Sequence, residues 1–122
     1  MPVWHINKLT TTMKNKSFKP AEVYNLKQVV SFAEGGVVSK QFVKSKGGNI
    51  TFFAFDQGEG LSEHTAPFEA VVQIIEGKAE VSIDGKKNVV AEGELIIMPA
   101  NIPHALQAIE PFKMCLIMLK DT

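Results

Sequence analysis

Two glycine-bounded modules constrain the fold of this chain more than any other feature of its sequence. The first spans residues 58–77 and the second spans residues 93–108. The first contains His64 and the second contains His104, and the only other histidine of the chain is His5, near the N-terminus. A site built on histidine would therefore draw on two modules that lie far apart along the chain.

From Val37 onward, the sequence patterns favour β-strands. Val81 and Ile83 alternate with polar neighbours, which is typical of a strand with one face in solvent. Asp84-Gly85 indicates a two-residue hairpin turn, because both residue types tolerate a positive φ. Short strands with turns at regular spacing predict a sandwich or a small barrel. The predicted strands are residues 37–44, 49–56, 70–76, 78–84, 88–91, 94–99, 104–109 and 112–120.

The sequence before these strands carries weaker signals. Residues 1–19 show no sustained period, so we interpret them as an arm that precedes a barrel domain of residues 20–122. Within the arm, residues 3–6 are the candidate for an edge strand, and the rest is predicted to be loop. Pro20 suits the first turn of a helix, so at most one short helix is predicted, near residues 21–30.

Three apolar runs break the alternation of the strands, at residues 52–55, 71–75 and 114–119. A strand that is apolar on both faces must be covered on both faces. In a barrel, one face fills the interior, and the other needs a second sheet, the N-terminal arm or another subunit. We therefore expect a homodimer.

The two modules resemble the paired motifs of the cupin family, G-x5-H-x-H-x3,4-E-x6-G and G-x5-P-x-G-x2-H-x3-N. The matching positions are Gly58, His64 and Gly77 in the first motif and Gly93, Pro99 and His104 in the second. The 15 residues between the modules are similar to the short spacing of small microbial cupins. The resemblance implies an all-β double-stranded β-helix, or jelly-roll barrel, with His64 and His104 projecting from neighbouring strands into its interior.

The departures from the cupin pattern fall on the metal ligands. A typical cupin metal site uses three histidines and one carboxylate or carboxamide, and this chain keeps two of those four ligands, His64 and His104. Alanine stands at three other motif positions, which are Ala66, Ala70 and Ala108. Catalytic zinc usually has three protein ligands, and non-heme iron uses two histidines and a carboxylate. The resemblance thus supports the barrel more strongly than a metal site.

No neighbouring side chain supplies the missing ligand in an obvious way. Period-2 alternation sends Glu63, Glu69 and Gln73 to the outer face of their strands, unless the turn at Pro67 rotates Glu69 inward. If a metal is bound, His64 and His104 are its candidate ligands, and iron, manganese, zinc and nickel are the candidate ions.

Two functions of different classes remain open from the sequence. The first is a barrel that binds a small organic molecule without an obligate metal, with the two histidines as its polar contacts. The apolar walls of such a pocket, chosen by strand parity, are Phe68, Val72, Ile74, Met98 and Leu106. The second is a metal-dependent enzyme of the dioxygenase, isomerase or decarboxylase type. A metal-free epimerase that uses histidine as a base is a third alternative, although no acid partner is evident. The sequence names no ligand and does not decide whether the protein is an enzyme.

The amino-acid composition limits the classes of partner that we expect for this protein. At 122 residues, the chain is long enough for one domain with its own core. Its net charge is zero and all 13 basic residues are lysine, so it lacks the arginine that usually reads phosphate and guanine. We therefore expect no nucleic-acid partner, and the absence of a long apolar run argues against a membrane partner.

The number of cysteines and the N-terminal sequence indicate the cellular location of the protein. The single cysteine, Cys115, rules out an internal disulfide, and residues 1–8 contain no apolar core of signal-peptide length. We therefore expect a cytoplasmic protein. Cys115 lies in an apolar run and is predicted to be a buried, inert thiol, and His5 is predicted to be a surface residue.

Overall fold

The computed structural model of the chain describes the backbone of residues 10–13 and the whole of residues 18–120. The described strands are β1 (Thr10–Met13), β2 (Val37–Ser45), β3 (Gly48–Phe55), β4 (Gly60–His64), β5 (Glu69–Glu76), β6 (Lys78–Ile83), β7 (Lys86–Ala91), β8 (Leu95–Met98), β9 (His104–Ala108) and β10 (Phe112–Leu119). A 3-10 helix spans Leu26–Gln28. No helix within the described residues has the length and apolar character needed to span a membrane.

The strands form two sheets. The six-stranded sheet has the order β1-β2-β3-β10-β5-β8, and the four-stranded sheet has the order β4-β9-β6-β7. β1 runs parallel to β2, and the other pairs are antiparallel. The chain crosses between the sheets after β3, β4, β5, β7, β8 and β9, which is the winding of a double-stranded β-helix, or jelly roll. The predicted all-β fold class is confirmed.

Alternate residues of each strand fill the interior. On β10, Met114, Leu116 and Met118 are buried in the cluster between the sheets, whereas Cys115 and Ile117 belong to a second cluster on the outer face. This is the period-2 alternation of a strand covered on both faces. Each fully buried large apolar side chain contributes about 1.5–3 kcal/mol relative to its exposed state.

Stacked phenylalanine rings fill one end of the barrel. The ring centroids of Phe55 and Phe112 lie 4.5 Å apart with planes 10° apart, and those of Phe53 and Phe55 lie 5.7 Å apart. β4 ends at His64 and β9 begins at His104, both at the opposite end of the strands. We call these the phenylalanine end and the histidine end.

The chain that precedes β2 covers part of the outer face of the six-stranded sheet. Residues 18–33 contribute Val30, which is 1% exposed, to the outer cluster that also holds Cys115. The Nζ of Lys40 donates to the carbonyl oxygen of Val29 at 3.0 Å and fastens this segment to β2. Burial raises the pKa of the Cys115 thiol to about 11, as expected of an inert thiol.

The short helix predicted near residues 21–30 is present as a single 3-10 turn. Val23, Leu26 and Val30 have helical spacing in the sequence, but only Leu26–Gln28 is helical, and the side chain of Asn25 caps this turn. Val23 is fully exposed while Val30 is buried. Packing of Val30 against the sheet overrides the weak helical pattern.

Two strands of the structure were not predicted from the sequence. β1 lies where loop was predicted, and β4 was not assigned as a strand within the first module. Both are short, and their pairing partners, β2 and β9, are distant in sequence. The proposed edge strand at residues 3–6 and His5 lie outside the described residues, so the division into an arm of residues 1–19 and a barrel of residues 20–122 stays a prediction.

Candidate functional site

His64 and His104 lie side by side at the histidine end. They are direct partners in the register of β4 and β9, with ring centroids 4.6 Å apart and planes at 76°, an edge-to-face arrangement. His104 is 1% exposed and His64 is partly buried. The fold thus brings the histidines of the two modules into contact.

Backbone hydrogen bonds fix the tautomer of both rings. Nδ1 of His64 donates to the carbonyl oxygen of Ser62 at 2.6 Å, and Nδ1 of His104 donates to that of Ile102 at 3.1 Å. A carbonyl oxygen only accepts, so the hydrogen of each neutral imidazole must be on Nδ1. In a neutral ring, Nε2 therefore carries the lone pair, and this atom can accept a hydrogen bond or bind a metal.

Both Nε2 atoms are buried, and each ring is held by its Nδ1 hydrogen bond and by contact with the other ring. Burial, assisted by the nearby His64, lowers the pKa of His104 below 6.5, and the bond to Ile102 opposes this shift. His104 is therefore neutral at pH 7.

The turn before β9 positions His104. Asn101 stands at the glycine position of the second motif and has φ 64°, a left-handed conformation that asparagine tolerates well. Its backbone N–H donates to the carbonyl oxygen of Ala66 at 2.7 Å, and that of Asp84 donates to the carbonyl oxygen of Pro103 at 2.8 Å. The loops around the histidines are thus tied to each other by backbone bonds.

The predicted apolar wall residues all contact the interior cluster. Val72, Ile74, Met98 and Leu106 are buried in it, and Phe68 packs against it while partly exposed. These five residues lie at different positions between the histidine end and the phenylalanine end. Met98 pairs with Ala70 at the histidine end, whereas Ile74 pairs with Met114 towards the phenylalanine end.

The described residues do not fit a cupin metal site. Among residues 10–13 and 18–120, no group of three or more His, Cys, Asp or Glu side chains is placed to hold a metal ion. Ala66 and Ala70 are 1% and 0% exposed, so two former ligand positions are occupied by buried methyl groups. Glu63 and Glu69 are exposed, as alternation predicted.

Three polar residues that were not predicted as site residues also face the interior at the histidine end. They are Gln41 on β2 and Asn49 and Thr51 on β3, and Asn49 is 8% exposed. The signal was present in the sequence, because Asn49 and Thr51 share strand parity with the buried Phe53 and Phe55. We call Gln41, Asn49 and Thr51 the polar wall.

Three cavities lie away from the histidine pair. One of about 370 Å³ at the rim of the histidine end is lined by Pro67, Phe68, Glu69, Ala100 and Leu119. Two others of about 450 Å³ are on the outer face, beside the 3-10 helix and beside Phe18. None of the three is lined by a histidine.

Comparisons with known proteins agree with the fold. The Cupin_2 family model, described as a cupin domain, matches residues 51–119, which is more than half of the chain. A conserved protein of unknown function from Streptococcus pyogenes is 37% identical, with a TM-score of 0.83 over 90% of this chain and 96% of that chain. No curated protein matches the chain significantly.

Two further solved structures carry the family name. A cupin 2 conserved barrel domain protein from Leptotrichia buccalis is 42% identical, with a TM-score of 0.77 over 80% of this chain and 47% of that chain. A cupin superfamily protein from Desulfitobacterium hafniense is 26% identical, with a TM-score of 0.80 over 87% of this chain and 97% of that chain. With its jelly-roll topology, its two motif histidines and these matches, the chain belongs to the Cupin_2 family of cupin domains.

Proposed function

We propose that this protein binds a small organic molecule at the histidine end of its barrel, without an obligate metal. The observation that supports this proposal most directly is the arrangement of His64 and His104. Their Nδ1 atoms donate to backbone carbonyl oxygens, so both rings turn Nε2, the atom that can accept a hydrogen bond, towards the same buried spot. Fixed acceptors next to apolar walls are typical of ligand sites.

The alanines at the ligand positions favour a metal-free site. Loss of an outer-shell partner alone typically lowers metal affinity about 10- to 100-fold, and loss of two direct ligands costs more. Ala66 and Ala70 present only buried methyl groups, which cannot bind a metal.

Metal content tests the proposal. Protein purified without chelators or nickel resin is expected to contain no stoichiometric iron, manganese, zinc or nickel by elemental analysis. Added Fe(II), Mn(II) or Zn(II) should leave the melting temperature unchanged. A metal that binds the folded protein would raise this temperature, because a ligand at 100 times its Kd adds about 2.7 kcal/mol of stability. Stoichiometric metal that disappears in His64→Ala would overturn the proposal.

The alternative is a metal-dependent enzyme that uses His64 and His104 as ligands. One observation favours it, since the tautomer of both rings presents Nε2, and metal binding requires an unprotonated imidazole nitrogen. The metal experiment above separates the two functions, because only the alternative predicts metal-dependent stabilisation that is lost in His64→Ala.

We also propose that two copies of the chain pair through the outer face at the β8 edge. Residues 18–33 contribute to the outer cluster, whereas Leu95 and Ile97 on β8 remain 54% and 52% exposed. Ile97 pairs with the apolar Val71 of β5, which extends the strip inward from the edge. Edge strands with exposed apolar residues are surfaces that another chain can cover.

Sedimentation velocity tests the homodimer. The wild-type protein should sediment as a dimer and Ile97→Glu as a monomer, because a buried unpaired carboxylate is costly. Val43→Glu, at a 49% exposed position on β2, serves as the matched control and should remain dimeric. A monomeric wild type would contradict the proposal.

A further inference from the structure

We propose that the polar wall formed by Gln41, Asn49 and Thr51 is the second half of the ligand site and that the site takes a neutral, polyhydroxylated molecule such as a polyol or sugar. This inference rests on the function proposed above, because it assumes that a guest binds at His64 and His104.

The alternation of β3 turns two polar side chains inward. Phe53 and Phe55 belong to the interior cluster, whereas Phe52 and Ala54 belong to the outer cluster. Successive side chains of a strand point to opposite faces. Thr51 therefore faces the interior, as does Asn49, the residue two positions before it, which is 8% exposed.

The neighbouring strand β2 adds a glutamine to the same face. Val37 lies in the interior cluster and Val38 in the outer cluster, and Lys40 donates from the outer face to Val29. Gln41 therefore faces inward, and it is the direct register partner of Thr51. Directly paired residues have Cβ atoms about 4.5–5.5 Å apart, so these two side chains form one continuous polar surface.

The polar wall and the histidine pair lie at the same end of the barrel. The chain crosses from Phe55 on β3 to Gly60 on β4 at the phenylalanine end, so both strands extend from there to the histidine end. Thr51 lies four positions from Phe55, about 13 Å along the strand. His64 lies four positions from Gly60, so the two occupy comparable depths in the barrel.

The described residues place no buried lysine or acid inside the barrel to pair with an anionic guest. Among the described residues, the only buried lysine or acid is Lys113, and its amine donates on the outer face to the carbonyl oxygen of Lys27. Lys120 is at the rim, where its amine lies 6.0 Å from the centroid of the Phe68 ring. A buried anion needs a paired charge, so a neutral guest suits this interior better.

Hydroxyl groups complement both halves of the site. The Nε2 atoms of His64 and His104 accept hydrogen bonds, whereas the amides of Gln41 and Asn49 and the hydroxyl of Thr51 both donate and accept. A hydroxyl can donate to an imidazole on one side and accept from an amide on the other.

Titration by two-dimensional NMR tests both the wall and the ligand class. The probes are xylitol and myo-inositol as neutral polyols and xylonate as an anion with the carbon skeleton of xylitol. We expect the neutral probes to shift the signals of the histidine end and xylonate to bind more weakly. The near-isosteric variants Thr51→Val and Gln41→Met should each weaken xylitol binding about 3- to 10-fold. Gln73→Met, at an exposed position on β5, is the matched control and should bind like wild type.

Each other outcome counts against a specific part of the inference. If neither neutral probe shifts these signals, or if xylonate binds more tightly, the assigned ligand class is wrong. If xylitol binding is lost in a folded His64→Asn variant but unchanged in Thr51→Val and Gln41→Met, the polar wall is not part of the ligand site, and the proposed function stands. If His64→Asn does not change binding, the proposed function itself fails.

Discussion

Leu61 and His64 both face the barrel interior although they are three positions apart on β4, a spacing that regular alternation would place on opposite faces. The register of β4 against β9 shifts between them. Leu61 pairs with Leu106 and His64 pairs with His104, so three steps on β4 match two on β9. The two imidazoles meet because of this β-bulge, a feature that often re-aims a side chain next to a functional site.

Acid should destabilise the protein through His104. Burial and the nearby His64 hold the pKa of His104 below its ordinary value of 6.5, so the unfolded chain takes up this proton more readily. The stability contributed by the neutral ring is present in full above the ordinary pKa and is lost as pH falls through the lower folded pKa. Urea unfolding at about pH 7.5 and about pH 5 should show this loss in the wild type.

The variant His104→Gln isolates this contribution. Other groups also titrate in acid, including Asp56, whose pKa is lowered by hydrogen bonds from the backbone of Gly35 and Gln57. These groups are shared by both proteins, so the unfolding free energy of His104→Gln should depend less steeply on pH than that of the wild type. Equal dependence in the two proteins would refute the assignment to His104.

Restoring the missing ligands should create a metal site and reduce the stability of the metal-free protein. Ala70 is fully buried, with Met98 and Met118 as its register partners, so Ala70→Glu overpacks the interior and should cost about 1–3 kcal/mol. In the double variant Ala66→His/Ala70→Glu, Zn(II) or Mn(II) should raise the melting temperature. Thermal unfolding with and without metal measures both effects, and the wild type is the control. A double variant that metal fails to stabilise would contradict the cupin ligand assignment.

The phenylalanine end should dominate the stability of the barrel. Phe112 is fully buried and stacks on Phe55 with centroids 4.5 Å apart. Phe112→Ala should therefore lower the unfolding free energy by about 3–5 kcal/mol. Leu119→Ala on the same strand, at a 51% exposed position, should change it by no more than about 0.5 kcal/mol. Urea denaturation compares the two, and similar losses would argue against a closely packed end.

Lys113 should hold residues 18–33 on the outer face. Its Nζ donates to the carbonyl oxygen of Lys27, lies 3.6 Å from a carboxylate oxygen of Glu76 and lies 4.9 Å from the centroid of the Phe32 ring. Lys113→Met keeps most of the apolar stem and removes these polar contacts, so amide hydrogen exchange in residues 18–33 should accelerate while that of the barrel strands changes less.

The exposed Lys78 on β6 provides the control for this experiment. Lys78→Met removes one lysine charge without touching the segment and should leave the exchange of residues 18–33 unchanged. If Lys113→Met and Lys78→Met give the same exchange pattern, the segment is held by its apolar residues, such as Val30, and not by Lys113.

Local patterns predicted most of the strands because each depends on neighbouring residues. The alternation of Val81 and Ile83 and the Asp84-Gly85 turn correspond to β6, the turn and β7 in the structure. The loop at residues 10–13 was predicted incorrectly, and the short helix near residues 21–30 covers only Leu26–Gln28. In both places the backbone follows contacts with distant residues, such as the packing of residues 18–33 on the sheet and the pairing of β1 with β2.

By itself, the sequence determined the all-β barrel, its membership of the cupin family, the candidate pair His64 and His104 and the loss of two metal ligands. These conclusions follow from residue types and their spacing. Only the tertiary structure decided that a bulge turns His64 inward, that backbone carbonyl oxygens fix both tautomers and that Gln41 and Thr51 form one surface at the same end. The physical reason is that register and hydrogen-bond partners are set by pairing between strands far apart in sequence, which no local pattern encodes.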